Sequence, residues 1–138
     1  MATSLKTLCW VVAEFILIFI LLSLPGSNFH NPNNWIATII ALPFADKIVH
    51  MALFGSLALS LFFHFELSSK PSLKTTRTKA LALIVCILYG IGMEYYQKYY
   101  VSSRGFEVLD MLADALGALC ALPVFEFFKK MYSQSFIK

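Results

Sequence analysis

Hydrophobic residues along the chain are grouped into four long runs, and most polar residues lie between the runs. A helix that crosses the hydrocarbon core of a bilayer needs about 20 apolar residues, each rising about 1.5 Å. The four runs that approach this length cover residues 8–24, 48–65, 80–96 and 108–128. The pattern therefore predicts an all-α membrane protein with four transmembrane helices and short loops. We expect one domain over residues 1–138.

The overall composition agrees with this prediction. Of the 138 residues, 59% are hydrophobic and 14% are charged, and the mean hydropathy is +0.72. A soluble domain needs a more polar surface than this composition supplies. The first run could be mistaken for a signal peptide because Lys6 precedes it. However, Glu14 interrupts the run and the residues after Leu24 lack a small-x-small cleavage pattern, so we expect a retained span.

Basic residues concentrate on alternate connections. The connection between the second and third runs contains Lys70, Lys74, Arg77 and Lys79, and the tail contains Lys129, Lys130 and Lys138. Short loops rich in Lys and Arg stay in the cytoplasm. Both termini are therefore predicted to be cytoplasmic, and residues 25–47 and 97–107 external. Topology accounts for the net charge of +3, so the expected partner is the lipid bilayer and no nucleic acid is expected.

Polar residues gather at the predicted external ends of the last three runs. They are Asp46, Lys47, His50, Glu94, Gln97, Arg104, Asp110 and Asp114. Asp46 and His50 are four residues apart, as are Asp110 and Asp114, so each pair shares a helix face. Gly117 continues the Asp114 face, and small residues let helices approach closely in lipid. We expect these faces to point inward and meet in one outward-opening site, because ionisable residues at a membrane boundary suggest function.

Several of these side chains also have a structural interpretation. Asp46 can cap the helix that follows it, and Lys47 can extend its ammonium to the interface. Glu94 lies deepest among apolar neighbours and needs a partner, for which Arg104 and His50 are the candidates. His50 lies one turn below Asp46, which suits an oriented imidazole. Arg104 has a fork suited to carboxylate or phosphate, and a structural pair with one of the acids is equally compatible.

Four motifs follow one another along the chain: Asp46-Lys47-x-x-His50, Glu94-x-x-Gln97, Arg104, and Asp110 with a polar residue four positions later and then Gly117. Together they resemble the motifs of the VanZ-like membrane protein family. The similarity covers about residues 46–121 and agrees with the four-span core of that family. Where the family usually has Asn, this chain has Asp114. The resemblance implies a bacterial cytoplasmic membrane protein of the cell envelope, and the founding member is linked to resistance to the glycopeptide teicoplanin.

Two classes of function remain open. In the first, the site recognises or modifies the polar head group of an envelope lipid or cell-wall precursor. Catalytic roles then fall to His50, Glu94 and Asp110, and substrate binding to Asp46, Lys47, Gln97, Arg104 and Asp114. Glu94 or Asp110 would act as a general base or hold a divalent cation through oxygen ligands. In the second class, a non-enzymatic accessory protein uses the polar network only to hold its helices together.

Two further features bear on the site. The three cysteines lie apart in apolar runs without CxxC spacing, which does not indicate a zinc site. The connection over residues 25–45 is rich in Asn in its first half and apolar in its second. We expect the second half to lie along the interface as a lid over the site.

Overall fold

The computed structural model describes residues 2–25, 44–68, 70–102 and 104–135. Its four α-helices are α1 (Ala2–Leu22), α2 (Ala45–Glu66), α3 (Thr76–Tyr100) and α4 (Val108–Ser135), and a short 3₁₀ helix (Pro71–Leu73) lies between α2 and α3. The described residues contain no β-strand. Each α-helix is long and apolar enough to cross a membrane. The predicted all-α membrane fold with four spans is therefore confirmed.

The helix ends differ from the ends of the hydrophobic runs for local reasons. α1 ends at Leu22, two residues before the predicted end of the first run. α3 begins before its run does, because Thr75 and Thr78 form a capping box. The Thr75 hydroxyl accepts from the Thr78 backbone N–H at 3.3 Å, and the Thr78 hydroxyl accepts from the Thr75 N–H at 3.2 Å. These bonds satisfy N–H groups that the first turn of a helix leaves free.

Small residues bring α2 and α4 into backbone contact. A Cβ atom built on Gly117 would lie 2.8 Å from the Met51 carbonyl carbon, and one built on Gly55 would lie 3.1 Å from the Gly117 carbonyl oxygen. Farther along the same interface, the buried rings of Phe62 and Phe125 pack with centroids 5.5 Å apart. The predicted small-residue packing of Gly117 is therefore found, and it fixes the distance between the helices that carry most of the polar residues.

α1 packs against α2 and α3 with one face and leaves the other exposed. The Tyr89 hydroxyl of α3 donates to the Phe15 carbonyl of α1 at 2.8 Å, and Ile18 is fully buried. Glu14, the acidic residue that interrupts the first hydrophobic run, makes a contact across the same interface. The Ser56 hydroxyl of α2 donates to a Glu14 carboxylate oxygen. Only the packing of the two helices reveals this contact, because the residues are distant in sequence.

The α2, α3 and α4 helices run antiparallel to their neighbours in the chain. The starts of α2 and α4 and the end of α3 therefore lie together, and we call this the site end of the bundle. The opposite end is held by ion pairs of Lys79 with Glu126 and of Lys129 with Glu66, the latter at 3.1 Å. The placement of the site end on the external side stays a prediction.

Candidate functional site

The buried side chains of the site end are unusually polar for a membrane protein. His50 and Glu94 have no exposed surface, and Asp114 and Asp110 are 1% and 4% exposed. They come from three helices, which agrees with the prediction that the polar faces point inward and meet. Because buried charges in a membrane need partners or a ligand, each contact of these residues bears on function.

Lys47 is surrounded by carboxylates. Its Nζ lies 2.8 Å from Asp110 Oδ1 and 3.7 Å from Asp46 Oδ2, and it also pairs with Glu107. The lysine side chain is 21% exposed, so its ammonium is held inside the cluster and does not simply extend to the interface. Glu107 was not among the site residues predicted from the sequence. A usable indication was its position three residues before Asp110, which places both acids at the start of α4.

His50 pairs with Asp114 across the interface between α2 and α4. Its Nδ1 donates to Asp114 Oδ1 at 2.9 Å, which orients the imidazole ring. The sequence suggested that Asp46, one turn away on the same helix, orients the imidazole. In the structure Asp46 does not make this hydrogen bond. The reason is the close approach of the helices at Gly117, which brings Asp114 against His50. Among the described residues, His50 Nε2 is buried and has no hydrogen-bond partner.

Glu94 is paired with the backbone, and neither expected partner binds it. Its Oε2 accepts from the Glu107 N–H at 2.9 Å, at the residue that immediately precedes α4. The start of a helix presents free N–H groups and a positive dipole end, so a carboxylate is stabilised there. Arg104 and His50 were the predicted partners, and this prediction was wrong. The second oxygen, Oε1, is buried and has no partner in the described part of the chain.

Arg104 and Asp46 occupy the more exposed part of the cluster. Arg104 Nη1 lies 3.8 Å from Asp46 Oδ1, a long ion pair, and Arg104 Nε is buried without a hydrogen bond in the described ranges. The structure therefore pairs Arg104 with Asp46 and not with Glu94 or Asp110. The capping role suggested for Asp46 is also not found. The residue at the N-cap of α2 is Phe44, and no side chain caps the helix.

Gln97 connects α3 to α1. Its Nε2 donates to the Leu22 carbonyl at 3.0 Å, and the side chain is buried. This bond satisfies a carbonyl that the last turn of α1 leaves free. No hydrogen bond joins Gln97 to the charged cluster within the described residues. The second half of the connection over residues 25–45 was predicted to form a lid, and residues 26–43 of this connection lie outside the described residues.

Acidic groups outnumber basic groups at the site end. The carboxylates belong to Asp46, Glu94, Glu107, Asp110 and Asp114, and the permanently charged cations are Lys47, Arg104 and Lys98, whose Nζ lies over the Phe106 ring. One potential metal-ligand atom from each of Asp46, His50 and Asp110 lies within 4.8 Å of the others. The arrangement can therefore accept a cation, and its basic side chains can contact an anion.

Comparison with known proteins gives one similarity and no assigned activity. No protein-family model matches the chain, and no solved structure matches it. An uncharacterized protein from Schizosaccharomyces pombe is 29% identical over 113 residues. The match covers 81% of this chain and 60% of that protein, so the chain spans less than two thirds of the length of this relative. A match of this length extends over several helices.

Proposed function

We propose that this chain is a VanZ-like multi-pass membrane protein that binds the phosphate-bearing head group of a lipid or lipid-linked precursor at its site end. One observation carries the proposal. In the described structure, four atoms of this cluster are buried with no hydrogen bond and no ion pair: His50 Nε2, Glu94 Oε1, Arg104 Nε and Asp114 Oδ2. Each unsatisfied buried polar group costs about 1–3 kcal/mol, and native proteins contain few of them. Four in one cluster favour a site that a ligand completes, and Arg104 Nε is a donor that an anionic oxygen can satisfy.

Arg104 and Lys47 supply the chemistry for an anion. Arg104 makes only a long ion pair, at 3.8 Å, so its guanidinium keeps donors for a ligand. The fork of a guanidinium matches two oxygens of a phosphate group. The side chains of Arg104 and Lys47 are 17% and 21% exposed, whereas Glu94, Asp110 and Asp114 are buried. A head group can therefore reach both basic side chains at the surface of the cluster, beside the exposed carboxylates of Asp46 and Glu107.

The class of lipid follows from two similarities. The resemblance to VanZ-like proteins favours an envelope component and, with it, a role in glycopeptide resistance. The relative in a yeast favours a ligand that bacteria and eukaryotes share. A phosphate-bearing lipid meets both conditions, so we propose it over a precursor restricted to the bacterial cell wall. We place the site at the external face of a cell membrane, following the distribution of basic residues.

A second candidate function is that of a structural accessory protein. The His50 to Asp114 contact at 2.9 Å and the Lys47 to Asp110 contact at 2.8 Å both join α2 to α4. In this alternative the charged residues hold the helices in register and bind no ligand. Removal of one partner from a buried ion pair then costs about 3–5 kcal/mol, because the other charge is left uncompensated.

Lipid binding to the purified protein distinguishes the two functions. The protein in detergent is mixed with phosphatidic acid or with diacylglycerol, which lacks the phosphate, and native mass spectrometry counts the bound lipids. Arg104→Ala is compared with Lys129→Ala, a matched control that removes a basic residue from the opposite end. Loss of a charge-assisted hydrogen bond, about 1.5–3 kcal/mol, corresponds to roughly 10-fold or more in affinity. We expect this loss in Arg104→Ala and none in Lys129→Ala.

Two additional measurements identify the ligand source and the reaction. Displacement of phosphatidic acid by millimolar inorganic phosphate would assign a soluble phosphate ligand, and its absence would support a lipid. A changed mass of the recovered lipid would add modification to recognition. The head-group proposal fails if the parent protein binds phosphatidic acid no better than diacylglycerol. It also fails if Arg104→Ala binds like the parent.

A further inference from the structure

We infer that Asp46, His50 and Asp110 form a binding site for one divalent cation of the Zn²⁺ or Mn²⁺ type. The inference deepens the proposed function and rests on it in one respect, since the cation would occupy the cluster that binds the head group. Cation binding itself requires no lipid, so the two proposals can fail separately.

The geometry of the three residues is close to that of a metal site. One ligand atom from each lies within 4.8 Å of the other two. Atoms bound to zinc at about 2.0–2.2 Å lie about 3.3 Å apart in a tetrahedral site. The widest pair must therefore approach by at most roughly 1.5 Å. Asp46 can supply this movement, because its side chain is 40% exposed and is held only by long ion pairs.

The hydrogen bonding of the His50 imidazole is typical of a metal ligand. This observation does not depend on the number of acids in the cluster. Asp114 accepts the hydrogen bond from His50 Nδ1 at 2.9 Å. The other nitrogen, Nε2, is fully buried and has no partner among the described residues. Histidines that bind metals almost always donate one ring N–H to a carboxylate and bind the metal through the other nitrogen. His50 and Asp114 have this arrangement, which also gives the acidic residue at position 114 a role.

The excess of acidic over basic side chains also favours a cation. Five carboxylates lie at the site end with the permanent cations Lys47, Arg104 and Lys98. A divalent cation would compensate part of this excess, and burial makes uncompensated charge costly. Lys47 Nζ already lies between Asp110 and Asp46, at 2.8 and 3.7 Å, so this position attracts positive charge. An ion there competes with Lys47, which keeps Glu107 as a partner.

The ligand set indicates the class of ion and its use. One imidazole nitrogen with two carboxylate oxygens suits zinc and manganese, whereas magnesium prefers oxygen ligands and keeps several waters. Three protein ligands leave at least one coordination position open. A phosphate oxygen of the head group would fill that position. The cation thus provides a reason why an acidic cluster accepts an anionic ligand.

The test is direct measurement of cation binding without lipid. The tag-free protein, with its three cysteines replaced because thiolates also bind zinc, is treated with chelator and titrated with Mn²⁺, Zn²⁺ or Mg²⁺ in detergent. Equilibrium dialysis with elemental analysis gives stoichiometry and affinity. We expect about one Mn²⁺ or Zn²⁺ per chain and weaker Mg²⁺ binding. Asp46→Asn and His50→Gln should each reduce affinity at least 10-fold.

Matched variants make the result specific. His64→Gln and Glu66→Gln remove an imidazole and a carboxylate from the opposite end and should bind cations like the parent. Lys47→Met should raise the affinity, because it removes the competing ammonium. Asp46→Asn lies at a partly exposed position, so it tests the site even if His50→Gln fails to fold.

Each outcome decides between the proposals. The cation site is refuted if the parent shows no saturable binding near one ion per chain, or if Asp46→Asn binds like the parent. A fall in affinity in Lys47→Met would also contradict it. Retained phosphatidic acid binding without cation binding would overturn only the cation site. Retained cation binding without lipid binding would overturn only the head-group function.

Discussion

Replacing Gly117 with Ala should separate α2 from α4 and disturb the site at a distance. The added Cβ would overlap the carbonyl oxygen of Met51 and would lie 2.8 Å from both its carbonyl carbon and its Cα. Carbon atoms in contact are normally about 3.5–4.0 Å apart, so the helices must move by at least roughly 0.7–1.2 Å. Met51 directly follows His50, and Asp114 lies one turn before Gly117. The same movement therefore acts on the His50 to Asp114 hydrogen bond.

The size of the effect follows from these distances. A movement of this size would lengthen the 2.9 Å bond to roughly 3.6–4.1 Å, which is too long for a hydrogen bond. Overpacking costs about 1–3 kcal/mol, and loss of a hydrogen bond to a charged group costs about 1.5–3 kcal/mol. The better helix propensity of Ala returns about 0.5–1 kcal/mol. We expect a net loss of about 2–5 kcal/mol in the free energy of unfolding.

The assay compares two glycine variants. Gly92 of α3 is the control, because a Cβ there meets nothing within 4 Å. Thermal unfolding in detergent, followed by circular dichroism at one scan rate, should show a lower Tm for Gly117→Ala by at least about 5 °C. Gly92→Ala should match or slightly exceed the parent. Nitrogen-15 NMR of the histidines should show loss of the hydrogen-bonded His50 Nδ1–H in Gly117→Ala alone. An unchanged Tm together with an unchanged His50 signal in Gly117→Ala would refute this reasoning.

Three further predictions concern topology and individual contacts. Ser102→Cys in a cysteine-free background should react with a membrane-impermeant maleimide in intact cells, because the connection over residues 97–107 is poor in Lys and Arg and is predicted to be external. Reaction only after permeabilisation would reverse the predicted orientation. Glu94→Ala should lower the free energy of unfolding by about 1–3 kcal/mol, because it leaves the Glu107 N–H unpaired, and Glu94→Gln should lower it less because it keeps an acceptor. Equal melting temperatures for the two variants would contradict this pairing. Tyr89→Phe removes the hydrogen bond to the Phe15 carbonyl and should lower the free energy of unfolding by about 0.5–1.5 kcal/mol, while the cation affinity stays unchanged. A Tm equal to that of the parent would show that this bond is not stabilising.

The four spans and the convergence of polar faces were predictable from sequence. The length of a hydrophobic run is a local property that is compared with the thickness of a bilayer, so no tertiary information is needed to identify a span. Alternation of the spans then places the start of α2, the end of α3 and the start of α4 together. Helical spacing predicted which of these residues share a face, and the burial of His50, Glu94, Asp110 and Asp114 agrees with it.

The partners within the site were decided only by the tertiary structure. His50 binds Asp114 and not Asp46, and Glu94 binds the Glu107 backbone and not Arg104, because these contacts depend on helix rotation and on the distance between axes. The close approach at Gly117 sets that distance for α2 and α4. A hydrogen bond needs its atoms placed to within a few tenths of an ångström. Sequence spacing fixes the position of a residue along and around its own helix, but packing between helices determines which residue faces it.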